Sequence, residues 1–198
     1  MKLFDRLPDF VIVDGKRYAM DFDFRNVLRM MEILARDDII EDARNYLALK
    51  CVTKHPRNVD RMIRVVNDTL FDKTPSRSDK KITSFEQDAP LIRAAFRQVY
   101  GIDLYRERVH WLEFSELLRG LPEGNRYEEV IGIRARPMPP ATKYNAKERE
   151  WLMQAKQQYA LHLTDTEAAK KYEKDVSNIF KGVMGIIAKG EVMNSNGE

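Results

Sequence analysis

Asp14-Gly15 sits between two β-rich runs in "DFVIVDGKRYAM" (Asp9–Met20), and this pair constrains the start of the chain most tightly. A two-residue type I′ turn needs φ > 0 at both positions, which Asp-Gly supplies. The turn pairs Val13 with Lys16 and Val11 with Tyr18, so Val11, Val13, Tyr18 and Met20 share one face. A lone hairpin is marginal in water, so that face must pack on helices.

Helical periodicity fills the rest. Phe24, Val27, Leu28, Met31 and Leu34 follow the i, i+3, i+4, i+7 rhythm from Asp23 onward. A second helix is expected over Ile39–Val52, its stripe formed by Ile40, Ala43, Tyr46, Leu47 and Lys50. Pro56 suits the first turn of a third, with Val59, Met62, Ile63, Val66 and Leu70 facing inward. Residues 72–84 are polar, aperiodic and contain Pro75, which reads as a loop.

Ser84 and Gln87 form a capping-box pattern that predicts a helix from about Phe85, with Ile92, Ala95, Phe96 and Val99 on its buried side. Gly101 is placed to end it in the left-handed conformation against Ile102. Asp103 is expected to cap the next helix and Gly120 to terminate it, with Trp111, Phe114 and Leu118 in the core. Pro122 suits the start of a helix bearing Tyr127, Val130, Ile131 and Ile133. Residues 136–145 hold three prolines and form a stiff connector. Asn145 and Glu148 mark the cap of a helix with Trp151, Leu152, Ala155 and Tyr159. Thr164 and Glu167 mark the last cap.

The expected fold is therefore mainly α, about seven to eight helices with a short N-terminal β-hairpin. It divides into residues 1–71 (hairpin plus helices), a polar loop at 72–84, a central helical unit at 85–163, and a C-terminal amphipathic helix with a frayed tail at 164–198.

Chemistry is harder to find. Glu107-x-x-His110 has the spacing of a di-metal bundle motif, but that site needs a second such pair. The residues three before His55 and His162 are Val52 and Tyr159, so the pair is missing. A single cysteine, Cys51, and three histidines offer no zinc motif, and Cys51 lies close to an apolar stripe, where an inert thiol is expected. No P-loop, G-x-S-x-G elbow or dinucleotide fingerprint occurs. No catalytic residue, metal or cofactor is expected, and Asp37-Asp38 reads as turn chemistry.

The net charge is only +3, with 34 basic residues against 31 acidic ones, which disfavours nucleic acid as a partner. Arg134, Arg136, Lys143 and Lys147 make a basic stretch, but Glu148 and Glu150 follow at once, so it reads as a solvated face. No apolar run has the length of a signal peptide or a membrane span, and the lone cysteine suits a reducing cytoplasm.

The final segment carries Tyr172, Val176, Ile179, Phe180, Val183, Ile186 and Ile187 on one helical face, against a Lys/Glu/Asp-rich opposite side. Tyr172, Val176, Ile179, Phe180, Val183 and Ile187 form the candidate partner-binding face, offered to a partner or a second copy. Gly182 and Gly185 each weaken a helix by on the order of 1 kcal/mol, so this segment needs packing to persist.

Three quoted runs carry a family resemblance: "DFDFRNVLRMMEIL", "FEQDAPLIRAAFRQVYGIDLYRERVHWLEFSELLRGLPEGNRYEEVIGIRA" and "KEREWLMQAKQQYAL". In order and wording the chain resembles the phage gene-product-fifteen family of the tail cassettes of Gram-positive siphophages and prophages, over about Leu7 to Leu161. The resemblance implies a non-enzymatic tail-morphogenesis factor in the host cytoplasm, similar to a tail assembly chaperone that binds the tape-measure protein. A structural tail or connector component of the virion is the alternative it leaves open, with a nucleic-acid-binding module behind it. The family supplies no catalytic residues, and the resemblance does not reach Thr164–Lys189.

Overall fold

The computed structural model describes residues 5–71 and 82–162. The chain divides into two compact units, Met1–Tyr159 and Ala160–Glu198, and every element below lies in the first. The expected C-terminal face, from Tyr172 to Ile187, lies outside the described residues.

The hairpin forms as the turn chemistry requires. Strands β1 (Phe10–Val13) and β2 (Lys16–Ala19) pair antiparallel with Val13 opposite Lys16 and Val11 opposite Tyr18. Asp14 and Gly15 have φ of 51° and 74°, the two left-handed residues of a type I′ turn. Val11, Val13 and Met20 are buried. Two bonds moor the hairpin's exit: the Asp21 N–H donates to the Val52 carbonyl (2.7 Å), and the Thr53 hydroxyl donates to the Ala19 carbonyl (3.1 Å).

Among the described residues seven helices follow: α1 (Phe24–Leu34), α2 (Glu41–Val52), α3 (Val59–Leu70), α4 (Ala89–Tyr100), α5 (Trp111–Arg119), α6 (Arg126–Ala135) and α7 (Ala146–Gln158). Packing runs as a chain of neighbours. β1 lies on α3, α3 on α2, and α2 on α1; α5 then joins α1 to α4, α4 carries α6, and α6 carries α7. The mainly helical fold with one short hairpin is thus what the periodicity implies.

Several local expectations change. In α2 the buried residues are Ala48, Leu49 and Val52, while Ile40, Tyr46 and Leu47 are exposed. Apolar residues lie on more than one side of α2, so periodicity alone does not select the inward face. Pro56 precedes α3 instead of opening it, and α3 starts after Asn58, which has φ of 44°.

Ser84 does accept from the Gln87 N–H (3.3 Å), but residues 85–88 form a separate turn and α4 starts at Ala89. Pro122 likewise stops short of α6, which Asn125 caps by accepting the Glu128 N–H (3.1 Å). Asn145 sits before α7 without capping it. Its side chain turns back, accepting from the Thr142 N–H (2.9 Å) and donating to the Pro140 carbonyl (2.9 Å).

Gly101 ends α4 at φ 72° and its N–H donates to the Arg97 carbonyl, as the sequence requires. Gly120 ends α5 at φ −88°, an ordinary conformation; a Cβ there would meet the Glu116 carbonyl oxygen at 3.3 Å.

Among the described residues Phe96, Phe114, Met30, Leu49, Met62 and Leu152 are the largest fully buried side chains. Phe114 is the centre of an aromatic group: its ring stacks on Phe24 (4.7 Å between centroids) and on Phe96 (5.1 Å). Trp111 lies 5.8 Å away on the same helix.

Candidate functional site

The two runs "DFDFR" (21–25) and "RVHW" (108–111) meet in space. The Phe24 N–H donates to the Val109 carbonyl (2.9 Å), and the Trp111 N–H donates to the Phe22 carbonyl (2.7 Å). Asp23 and His110 thereby face each other across an isolated antiparallel bridge. Arg108 pairs with Asp21 (2.6 Å). Arg25 donates to the carbonyls of Leu104 (2.9 Å) and Glu107 (2.6 Å) while its Nη1 pairs with Asp23 (3.2 Å). Asp23 also caps α1 by accepting the Arg25 N–H (3.0 Å).

This bridge overturns the expectation of one helix from Asp103 to Gly120. Asp103 caps only a single turn, accepting the Tyr105 N–H (3.0 Å) and receiving the Glu107 carboxylate on its own N–H (2.8 Å). Val109 and His110 are then drawn out to meet Phe22–Phe24, and α5 starts afresh at Trp111. Glu107 and His110 therefore do not sit on adjacent helical turns.

Both ring nitrogens of His110 are engaged: Nδ1 accepts the Leu112 N–H (3.1 Å), capping α5, and Nε2 meets the Pro8 carbonyl (3.0 Å). A carbonyl can only accept, so the proton lies on Nε2. Among the described residues no group of three His, Cys, Asp or Glu side chains could hold a metal ion.

The bridge aims Trp111 inward. Its Nε1–H donates to the Leu70 carbonyl (3.2 Å), the last residue of α3. Beside it lies an open groove of about 1030 Å³, whose apolar lining includes Phe71, Phe85, Trp111, Leu112 and Leu118. Asp5, Arg6, Asp68, Glu116 and Arg119 contribute charge of both signs to the same lining. A second, more apolar pocket of about 260 Å³ is lined by Phe24, Leu28, Ile92, Leu104 and Tyr105. Phe85 and Phe114 line both cavities. Phe85 is 37% exposed, and its ring lies 6.0 Å from Trp111 and 6.2 Å from Phe114.

Family-model comparison matches residues 3–161 to the family described as Bacteriophage Gp15 protein. The chain belongs to that bacteriophage Gp15 protein family. No curated protein and no solved structure matches it. The matched span contains every element described above, so the 21–25 and 108–111 contact and the groove beside it are features of the family-like part of this Gp15 protein.

Other residues singled out from the sequence take structural places. Burial raises the Cys51 thiol above its ordinary pKa, with Glu32 adding to this and Arg29 opposing it. A raised pKa leaves less of the nucleophilic thiolate at neutral pH. Asp38 pairs with Arg36 (2.6 Å), and that hydrogen bond holds its carboxyl below the ordinary value.

Arg134 corrects the reading of a solvated basic face. It is nearly buried, 11% exposed, and paired with Asp88 (2.8 Å), while Arg149 donates to the Pro139 carbonyl. Arg136, Lys143 and Lys147 remain exposed. Sequence reasoning missed the groove because Phe71, Phe85 and Trp111 lie on three separate segments. No helix among the described residues is long and apolar enough to cross a membrane.

Proposed function

We propose that this Gp15 protein is a non-enzymatic tail-morphogenesis factor, a tail assembly chaperone that holds the tape-measure protein soluble in the host cytoplasm. The groove beside Trp111 carries the reading. It is open, and its lining mixes aromatic and aliphatic side chains with charges of both signs. Such a surface suits the apolar face of an amphipathic helix, whose polar side stays in water. The occupant proposed for it is a helical segment of the tape-measure protein, the partner that the family resemblance implies. The Tyr172–Ile187 stripe, the first candidate face from the sequence, stays a candidate beside the groove, for the same partner or for self-association.

Co-expression with and without the tape-measure protein tests the proposal. Increased solubility of the tape-measure protein and a co-purifying complex support it. Unchanged solubility with no complex sinks it. Mass spectrometry of purified particles then separates a chaperone, absent from the virion, from a structural tail component, present at stoichiometric level.

A further inference from the structure

The Asp88–Arg134 pair does more than neutralise two charges. The Arg134 Nε–H donates to the Tyr159 carbonyl (2.5 Å), immediately after α7. Its Nη1 donates to the Ile82 carbonyl (3.1 Å) and to Asp88 Oδ2 (2.8 Å). The same Asp88 oxygen accepts the Ser84 N–H (2.8 Å). One guanidinium at the end of α6 thus grips the 82–88 turn and the end of α7 together.

Asp88 is 1% exposed and Arg134 is 11% exposed. Removing the guanidinium leaves a carboxylate buried without its countercharge, which is strongly unfavourable. The Ser84 N–H would stay on Oδ2, but it is neutral, and Asp88 Oδ1 has no hydrogen-bond partner among the described residues. Because one guanidinium makes all three contacts, its loss releases Ile82, Asp88 and Tyr159 together. A separate bond, Lys156 Nζ to the Arg134 carbonyl (2.8 Å), fastens α7 to α6 without using the guanidinium.

Phe85 lies inside the gripped turn and lines both cavities. We propose that Arg134 is a positioning residue that joins the end of α7 to the Phe85 side of the groove as one conformational unit, so that displacement at Tyr159 is transmitted to the groove. Its bearing on partner binding rests on the groove reading above. The coupling itself is measured without any partner, so each idea can fail alone.

The test uses the full-length chain carrying Trp151→Phe, which leaves Trp111 as the reporter beside Phe85. In the added Arg134→Gln variant, amide exchange should quicken about tenfold or more in both the 82–88 and the 156–160 peptides, while α1 and α3 keep their protection. Trp111 emission should shift to longer wavelength as water reaches it. Loosening of only one of the two segments, or unchanged Trp111 emission, overturns the proposal. If Arg134→Gln does not fold, the pair Asp88→Leu with Arg134→Met removes the buried charge and the grip together. It is read by the same criteria: both segments loosened with α1 and α3 intact supports the coupling, and one loosened alone overturns it.

Discussion

Asp23 and His110 stand opposite each other across an isolated antiparallel bridge, with Arg25 clasping the turn that leads to it. Bringing the distant Asp23 and His110 together costs conformational entropy, against which the bridge's two backbone bonds, the Arg108–Asp21 pair and the Arg25 contacts act. The bridge also fixes where α5 starts, and so where Trp111 points.

Arg25→Met should test this directly. It leaves the Leu104 and Glu107 carbonyls without their donor and should destabilise the fold by about 1–3 kcal/mol. Urea unfolding reads the loss, and exchange at residues 104–112 should rise more than at α7. Equal stability would show that the clasp contributes nothing.

Trp111→Phe should cost about 1–3 kcal/mol, because the Leu70 carbonyl loses its buried donor and the indole leaves space behind. Phe114→Ala should cost more, about 3–5 kcal/mol, since its ring contacts Phe24, Phe96 and Trp111 at once. The order of the two midpoints in one denaturant series checks both.

Gly101→Ala should cost about 1 kcal/mol. Space is not the cause, because no heavy atom lies within 4 Å of the added Cβ; the left-handed φ of 72° is. Asn, which tolerates that conformation better, should recover part of the loss in thermal unfolding.

Alkaline stability should depend on Tyr127. Burial, with help from Asp88 and Glu128, pushes its hydroxyl from 10.0 up to about 12. The folded protein keeps this proton where the unfolded chain loses it. Stability from Tyr127 is therefore fully present below about pH 10 and is lost as pH rises towards about 12. A tenfold difference in proton affinity between the folded and unfolded chains corresponds to about 1.4 kcal/mol. Unfolding free energies should therefore fall by on the order of 2 kcal/mol more in the parent protein than in Tyr127→Phe over that window. Parallel curves would refute the assignment.

On the groove reading proposed above, Leu118→Lys should weaken tape-measure binding by about tenfold or more, with a modest drop in thermal midpoint because Leu118 lines the groove half-buried against the core. Titration by isothermal calorimetry alongside thermal melts distinguishes lost binding from lost folding. Unaltered affinity would move attention to the Tyr172–Ile187 stripe.

Local physics in the sequence determined the hairpin, its register and most helical segments. A type I′ turn needs Asp14-Gly15, and a left-handed helix end needs Gly101; neither depends on anything distant. The inward face of α3 was equally legible, because it carries one clear stripe, whereas in α1 the expected stripe held Phe24 and Val27 but missed the buried Met30, and Leu28, Met31 and Leu34 are only half-buried. Tertiary structure alone decided the rest. It broke the expected helix at Val109–His110, because backbone groups at Phe22 and Phe24 offered better partners there than another helical turn. It turned Ala48 and Leu49 inward in α2, where neighbours on α1 and α3 chose between competing apolar sides. It buried Arg134, whose charge on paper belonged to the surface, because Asp88 lay within reach. Spacing along a chain specifies which groups are local neighbours. Which distant group becomes a partner depends on packing, and the groove formed by Phe71, Phe85 and Trp111 exists only once that packing is complete.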